Sequence, residues 1–302
     1  MAEDKKKTKV SIIVLTINSK EMLLNMIVNI SNLDTTGLNA TCIVVDNGST
    51  DGTKEATKNL KLKNMNYKFI ETGKNLGFAG GNNVGIRNSL KNKNDFIVIV
   101  NDDVVLEKDF LTKMVDFMKK NPQIGVSSPK IYFTKDNKEV IWYAGGIIDW
   151  NNIYTTHRGV DEVDKGQFDK SINTDLASGA CMIINNKVFD KVGLLDEGFY
   201  LYWEDADFSQ RLKEKGYEVI YYPKVKVWHK VSASAGGIGS RSNDYFLIRN
   251  RYYFATRYAK VRTKLAVLRD TLKLAFIGRD WQKIGAFHAL IGKKGAGPWV
   301  KN

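Results

Sequence analysis

An apolar run, Ile97-Val98-Ile99-Val100, ends in Asn101, Asp102 and Asp103. Side chains alternate along an extended chain, so Asn101 and Asp103 are expected on one side where the strand stops. Two oxygen-bearing side chains so placed can hold a divalent cation. Magnesium or manganese bound that way commonly bridges a carboxylate to the phosphates of a substrate, which points to a nucleoside-diphosphate site. Alone, an acidic turn after a strand is more often a loop or a helix cap. A second acidic loop, Asp46-Asn47-Gly48-Ser49-Thr50-Asp51, follows another apolar run, and the tripeptide Glu204-Asp205-Ala206 opens a helical pattern.

The elements between these residues follow a regular order. Residues 10–16 read as a buried strand and 20–33 as a helix, with Met22, Leu23, Met26, Ile27 and Ile30 on one face. Residues 41–45, 67–71 and 96–100 read as further strands, the loop at 46–53 caps a helix starting near Lys54, and the Gly-rich segment 77–85 leads into another helix. Strand, helix, strand, helix implies an α/β fold with a mainly parallel sheet and right-handed crossovers. Ligands of such sheets collect beyond the carboxyl ends of the strands, where Asp46 and Asp103 both lie. Strands are expected at 124–128, 131–133, 219–222 and 225–228, a polar excursion at 134–170, and a turn Ser178-Gly179-Ala180 into a strand. The segment from Phe199 to Asp207 opens a helix ending at Gly216.

The chain has 302 residues, 43% hydrophobic and 26% charged, enough for a sizeable core. No apolar run approaches the roughly 18 residues of a spanning helix, and the start, MAEDKKKTKV, lacks the apolar middle of a secretory signal. A cytoplasmic location is therefore expected. Cys42 and Cys181 sit among apolar neighbours and read as inert core residues rather than a disulfide. The net charge of +13 is concentrated at one end, since residues 245–302 hold thirteen Lys and Arg against Asp270 and Asp280. Aromatic and aliphatic residues alternate with those cations at helical spacing. Such a stretch fits either a helix in an anionic headgroup layer or one packed on the parent domain. The Gly- and Ser-rich run 232–242 marks the boundary, giving a domain at 1–235 and a basic, aromatic, amphipathic helical extension at 236–302.

The segments VSIIVLTIN, VVDNGSTDGT, NLGFAGGNNVGI, NDDV, SGACMII, WEDADFSQRL and VWHKVSASAGG occur in that order. Together they resemble the family 2 inverting glycosyltransferases of GT-A fold, most closely the rhamnosyltransferase-like branch. The resemblance implies that Asp46 contacts a nucleobase, with Thr16 and Asn18 beside it, and that Ile17 stands where relatives often carry Tyr. It implies that Asp103 contacts a metal, that Asn101 replaces the first Asp of an Asp-x-Asp motif, with Asp102 between them near the donor, and that His229 completes the shell. The histidine leans the choice between Mg2+ and Mn2+ toward manganese. Asp205 matches the general base that takes the acceptor proton, and Glu204 an orienting neighbour. Gly80 and Asn82 would approach the donor, as would Ser178 and Gly179; Trp203 would offer an apolar face to an acceptor sugar. Lys230 and Arg241 would help neutralise the diphosphate.

The function so implied is transfer of one sugar, rhamnose being one candidate, from a dTDP- or UDP-linked donor to a hydroxyl of a lipid-linked or polysaccharide acceptor. The basic extension would dock the enzyme on the cytoplasmic face of the cell membrane. A catalytically silent nucleotide-sugar-binding subunit is the alternative, disfavoured by Asp103, Asp205 and His229. A sugar-phosphate nucleotidyltransferase is disfavoured by the missing Gly-rich, basic triphosphate loop after the first strand. No ordered nucleic-acid motif is present. Nothing in the sequence indicates an oligomeric state.

Overall fold

The computed structural model describes residues 7–134, 139–230 and 239–300. In chain order the elements are β1 (Thr8–Thr16), α1 (Lys20–Ser31), β2 (Leu38–Asp46), α2 (Thr53–Thr57), β3 (Asn66–Glu71), α3 (Gly77–Lys91), β4 (Phe96–Asn101), β5 (Val104–Leu106), α4 (Phe110–Lys120) and β6 (Ile124–Phe133). They continue with β7 (Ile141–Tyr143), β8 (Gly146–Asp149), β9 (Tyr154–His157), β10 (Ile172–Asn173), β11 (Cys181–Asn185), α5 (Phe189–Val192), α6 (Glu204–Glu214) and β12 (Glu218–His229). Three helices close the chain: α7 (Arg241–Tyr258), α8 (Val261–Ile277) and α9 (Asp280–Leu290).

The main sheet runs β10-β12-β6-β11-β4-β1-β2-β3, with β5 on β12, β7 on β6, and β8 and β9 as a separate pair. Its pairings β4·β1·β2·β3 and β6·β12 are parallel, while β11 is antiparallel to both its neighbours. Helices cover both faces, which explains why β1 is apolar in both registers. Val10, Ile12 and Val14 pack with Leu23 and Ile27 of α1 and Phe110 and Met114 of α4. Ile13 faces the other way, with Ala79 and Ile86 of α3. Cys42 and Cys181 are buried and unbridged, and burial pushes the Cys42 thiol up to about 12.

Two expected pairs of short strands are single strands. Prolines explain the misreading. Pro129 lies within β6, and β12 carries residues 223–225, Pro223 among them, opposite no partner between Tyr222 and Lys226. Each proline removes a donor and interrupts the apolar run.

The Gly-rich segment is inside helix α3 rather than a loop before it. A Cβ on Gly81 would come 2.3 Å from Leu15 Cδ1, and one on Gly85 2.6 Å from Ile13 Cγ2. Alanine there would gain at most about 1 kcal/mol of helix propensity and cost about 1–3 kcal/mol of overpacking. These two glycines therefore let α3 lie directly on β1.

The extension divides in two. Helix α7 is built into the body of the molecule, with Tyr245, Phe246, Arg249, Asn250 and Phe254 all buried. Helix α9 packs closely on α7, where a Cβ on Gly285 would meet the Tyr245 carbonyl at 2.6 Å. Residues 231–238, which hold most of the expected boundary run, lie outside the described residues.

Candidate active site

Parallel strands bring the expected residues to one edge. Thr16, Asp46 and Glu71 end β1, β2 and β3 in register, and Asn101 ends β4 beside Leu15. The sheet order reverses at β1, so its loop and the loop after β4 form the crevice where α/β sheets bind ligands. Asp102 bridges the two, its Oδ2 accepting from Thr16 Oγ1 at 2.8 Å and from Ser19 Oγ. Burial pushes the Asp102 carboxyl up, against the lowering effect of those hydroxyls.

The strand stops at Asn101, so residues 102 and 103 form a turn and alternation no longer governs them. Adjacent carboxylates then diverge. Asp103 turns to β12, its Oδ1 lying 3.1 Å from His229 Nε2, both side chains over 90% buried. The Lys230 amide bonds the Asp103 carbonyl at 2.9 Å, fixing the end of β12 to the turn. The rings of His229 and His157 both meet Trp142 edge-on, with centroids 4.6 and 4.4 Å away. Burial lowers His157 to about 4, so it is neutral packing rather than a charge.

The Asp103–His229 separation tests whether a metal fits. Two neighbouring ligands of an octahedron with ~2.1 Å bonds lie about 3 Å apart. The pair matches one such edge; the carboxylate suits either magnesium or manganese, and the imidazole leans the choice toward manganese. Among the described residues no group of three or more His, Cys, Asp or Glu is placed to hold a metal. A cation here would draw its other ligands from Asn101, substrate oxygens and water.

Backbone bonds connect this turn to α6. The Asn101 amide donates to the Ala180 carbonyl at 3.0 Å, and the preceding residue, Gly179, donates its amide to Asp205 Oδ2 at 3.1 Å. Asp205 Oδ1 takes the Ala206 amide at 2.8 Å. Burial raises the Asp205 carboxyl against those amides. Glu204 is 4% exposed, and its Oε2 finds no hydrogen-bond partner among the described residues. Burial first, then the charge on Asp205, holds Glu204 well above the carboxylate range.

The family model described as Glycosyl transferase family 2 matches residues 11–193. The chain belongs to glycosyl transferase family 2. It is 26% identical to a low-salt glycan biosynthesis hexosyltransferase of Haloferax volcanii, covering 80% of this chain and 74% of that one. It is 25% identical to an N-acetylglucosaminyl-diphospho-decaprenol L-rhamnosyltransferase of Mycobacterium tuberculosis, covering 64% and 67%. In fold it is similar to GalNAc-T7, crystallised with UDP, GalNAc and Mn2+, with a TM-score of 0.69 at 15% identity over 97% of this chain and 56% of that one. It is also similar to a mannosyltransferase of Pyrobaculum calidifontis in complex with GDP-Man and Mn2+, with a TM-score of 0.58 at 18% identity over 95% and 75%. These neighbours establish the GT-A fold.

In this glycosyltransferase several expected site residues are occupied internally. Asp46 is buried and its Oδ1 accepts the Ser49 amide at 2.9 Å, forming an Asx turn. Asn18, at φ 47°, accepts the Thr50 amide at 2.8 Å and so joins the β1 and β2 loops. Ser178 is buried and its Oγ takes the Ala180 amide at 3.3 Å. Four expectations change. Gly80 lies in helix α3 against Leu76 and Glu197. Asn82 is buried in the same helix, donating to the Phe78 carbonyl at 3.0 Å. Trp203 is 6% exposed and tilts on Phe254 of α7 at 4.8 Å, so core packing rather than an acceptor occupies its face. Arg241 stacks over Trp299, 4.7 Å from the ring centre.

Two residues that hold the start of α6, Arg249 and Asn250, carry no motif that would mark them in the sequence. Tyr200, Tyr202 and Trp203 have φ of 66°, 66° and 77°, a left-handed backbone at bulky residues. Each costs roughly 1–3 kcal/mol. Asn250 Nδ2 donates to the carbonyls of Phe199, Leu201 and Tyr202 at 2.8–2.9 Å, and Arg249 to those of Gly198 and Phe199 at 3.2 and 2.9 Å. The two hydrogens of Asn250 Nδ2 are shared among three carbonyls, so with Arg249 about four bonds, of roughly 0.5–3 kcal/mol each according to charge, oppose that strain. The signal was present as two polar residues, Arg249 and Asn250, inside an aromatic helical run.

Proposed function

We propose that this glycosyltransferase moves a single sugar, with inversion, from a dTDP- or UDP-linked donor to a hydroxyl of a lipid-linked or polysaccharide glycan. A rhamnose donor agrees with the names of two relatives, the mycobacterial L-rhamnosyltransferase and a dTDP-rhamnosyl transferase of Shigella flexneri. Residues 1–235 would carry the transfer and 236–302 the attachment to the cytoplasmic face of the cell membrane. The observation that supports the reading is the bonded path from Asn101 through Ala180 and Gly179 to Asp205, which links the end of β4, next to the turn proposed to bind the metal, to a carboxylate of raised pKa.

In this reading Asp103 and His229 hold a Mn2+ or Mg2+ ion, assisted by Asn101. Bound there, the ion supplies positive charge for the leaving diphosphate. Thr16, Asn18 and Asp46 bound the base and ribose end of the cleft, with the second oxygen of Asp46 toward the base. Asp102 keeps the β1 and β4 loops at a fixed spacing. Asp205 takes the proton of the acceptor hydroxyl as the sugar carbon is attacked opposite the nucleotide. The Gly179 amide steadies the acceptor-side oxygen of Asp205. Glu204, kept protonated, donates a hydrogen bond and orients the acceptor.

Calorimetric titration with uridine, thymidine and guanosine diphosphates, with and without Mn2+, tests the donor site. Asp103→Ala is expected to abolish the metal-dependent part of binding. Asp205→Asn is expected to keep nucleotide binding and lose about 100-fold or more of transfer. Absence of binding by any of the three nucleotides, or equal loss of binding and transfer in Asp205→Asn, overturns the assignment.

A further inference from the structure

Helix α8 has two opposite faces. Thr263, Val267 and Thr271 are buried against the molecule, at 8%, 1% and 2% exposure. Val261, Leu265, Leu272 and Phe276 are 73%, 61%, 43% and 78% exposed. At 3.6 residues per turn these four fall within about 60° of arc, forming one row on the outer side. Arg262, Arg269 and Lys273 are exposed as well. They form a second row about 70° further round. The one acid of the helix, Asp270, is turned to Arg251 at 3.3 Å. Helix α9 adds Phe287 and Ile291, 55% and 58% exposed, with Lys293 and Lys294 exposed beyond its end.

Scattered exposed apolar residues are ordinary, but a row of four at such exposure beside a row of cations is not. The chemistry of the flank selects the partner. The flank is cationic, and a helix lying in a headgroup layer pairs an apolar face with a flanking row of Lys and Arg that complements anionic lipid phosphates. Among the described residues no helix is long and apolar enough to cross a membrane.

We infer that the outer face of α8, with the exposed Phe287 of α9 and Ile291 at its end as further apolar contacts, is a docking surface for an anionic lipid bilayer. The apolar row enters the acyl boundary and Arg262, Arg269 and Lys273 meet lipid phosphates. The inference deepens the functional reading above, since it supplies the surface that carries the enzyme to a lipid-linked acceptor. It assigns membrane contact to the α8–α9 hairpin and removes it from α7, whose aromatic residues belong to the core.

Flotation of the full chain with vesicles of phosphatidylcholine, alone or mixed with phosphatidylglycerol, tests it. Binding to the mixed vesicles is expected, falling as salt screens the cations. Leu265→Glu together with Phe276→Glu is expected to weaken that binding by about 10-fold or more, with unchanged thermal unfolding. Arg269→Ala together with Lys273→Ala is expected to lower only the part that depends on phosphatidylglycerol. Failure of the native chain to float, or equal flotation of the Glu variant, overturns the inference. So does a native dimer on gel filtration that the Glu variant converts to a monomer, which assigns the row to a second copy. Transfer to a water-soluble acceptor, measured on the same samples, reports separately on the glycosyl-transfer reading.

Discussion

Asp102 and Asp103 show how little a motif's spelling says about where its side chains go. One joins two loops through Thr16 and Ser19, and the other faces His229 from a different strand. Glu204 and Asp205 differ as sharply. Asp205 has amide partners, whereas Glu204 is buried with one oxygen unpartnered among the described residues. The folded state therefore holds a proton on Glu204 more tightly than the unfolded chain, whose carboxyl titrates near 4.5. Its contribution to stability is complete below that value and is lost as pH rises through the displaced folded value. Glu204→Gln removes this loss. The variant is expected to melt above the native protein near pH ~8, with the gap closing toward pH ~5; a gap that ignores pH contradicts the assignment. A parallel profile of transfer against pH should show its acid limb above the ordinary carboxylate range, because burial raises Asp205 as well.

Strands were the most legible elements, because a strand buried on both faces needs a continuous apolar run and little else does. The residues at their ends, Asp46 and Asn101, could be placed for the same reason, whereas Asp103 lies in the turn beyond β4, where alternation fails. Helix α3 was less legible. Its glycines mimic a loop until the nearness of Leu15 and Ile13 supplies their purpose. Trp203 misled for a related cause, since an indole packs as well on Phe254 as on a sugar and local sequence names neither partner. The contacts of Arg249 and Asn250 lie about fifty residues away in the chain, beyond any periodic signal. Asn250→Ala strips one donor from three carbonyls. A loss of about 2–4 kcal/mol in chemical denaturation is expected, with transfer falling further than nucleotide binding because α6 begins where the strained segment ends. Equal falls in both would make the clamp purely structural.

The extension and the sheet are joined by buried charge. Asp207, fully buried in α6, accepts from Arg211 at 2.8 Å, Arg257 at 2.6 Å and Tyr258 at 2.8 Å, the last two on α7. Removing one member of a buried charged set costs about 3–5 kcal/mol. Asp207→Ala is therefore expected to lower the denaturation midpoint by that equivalent while the transition stays single; two separated transitions would mean that α7 unfolds independently. The antiparallel strand β11 has a consequence for how the molecule is made. A chain emerging amino end first can pair β1, β2, β3 and β4 early, but β4 keeps an open edge until β11, some eighty residues later, fills it. His229 reaches Asp103 later still, and Asn250 arrives after that. Half-synthesised chains thus carry the crevice between the β1 and β4 loops without the Asp103–His229 pair or the clamped start of α6. The start of α6 is held only once both β12 and α7 have been made.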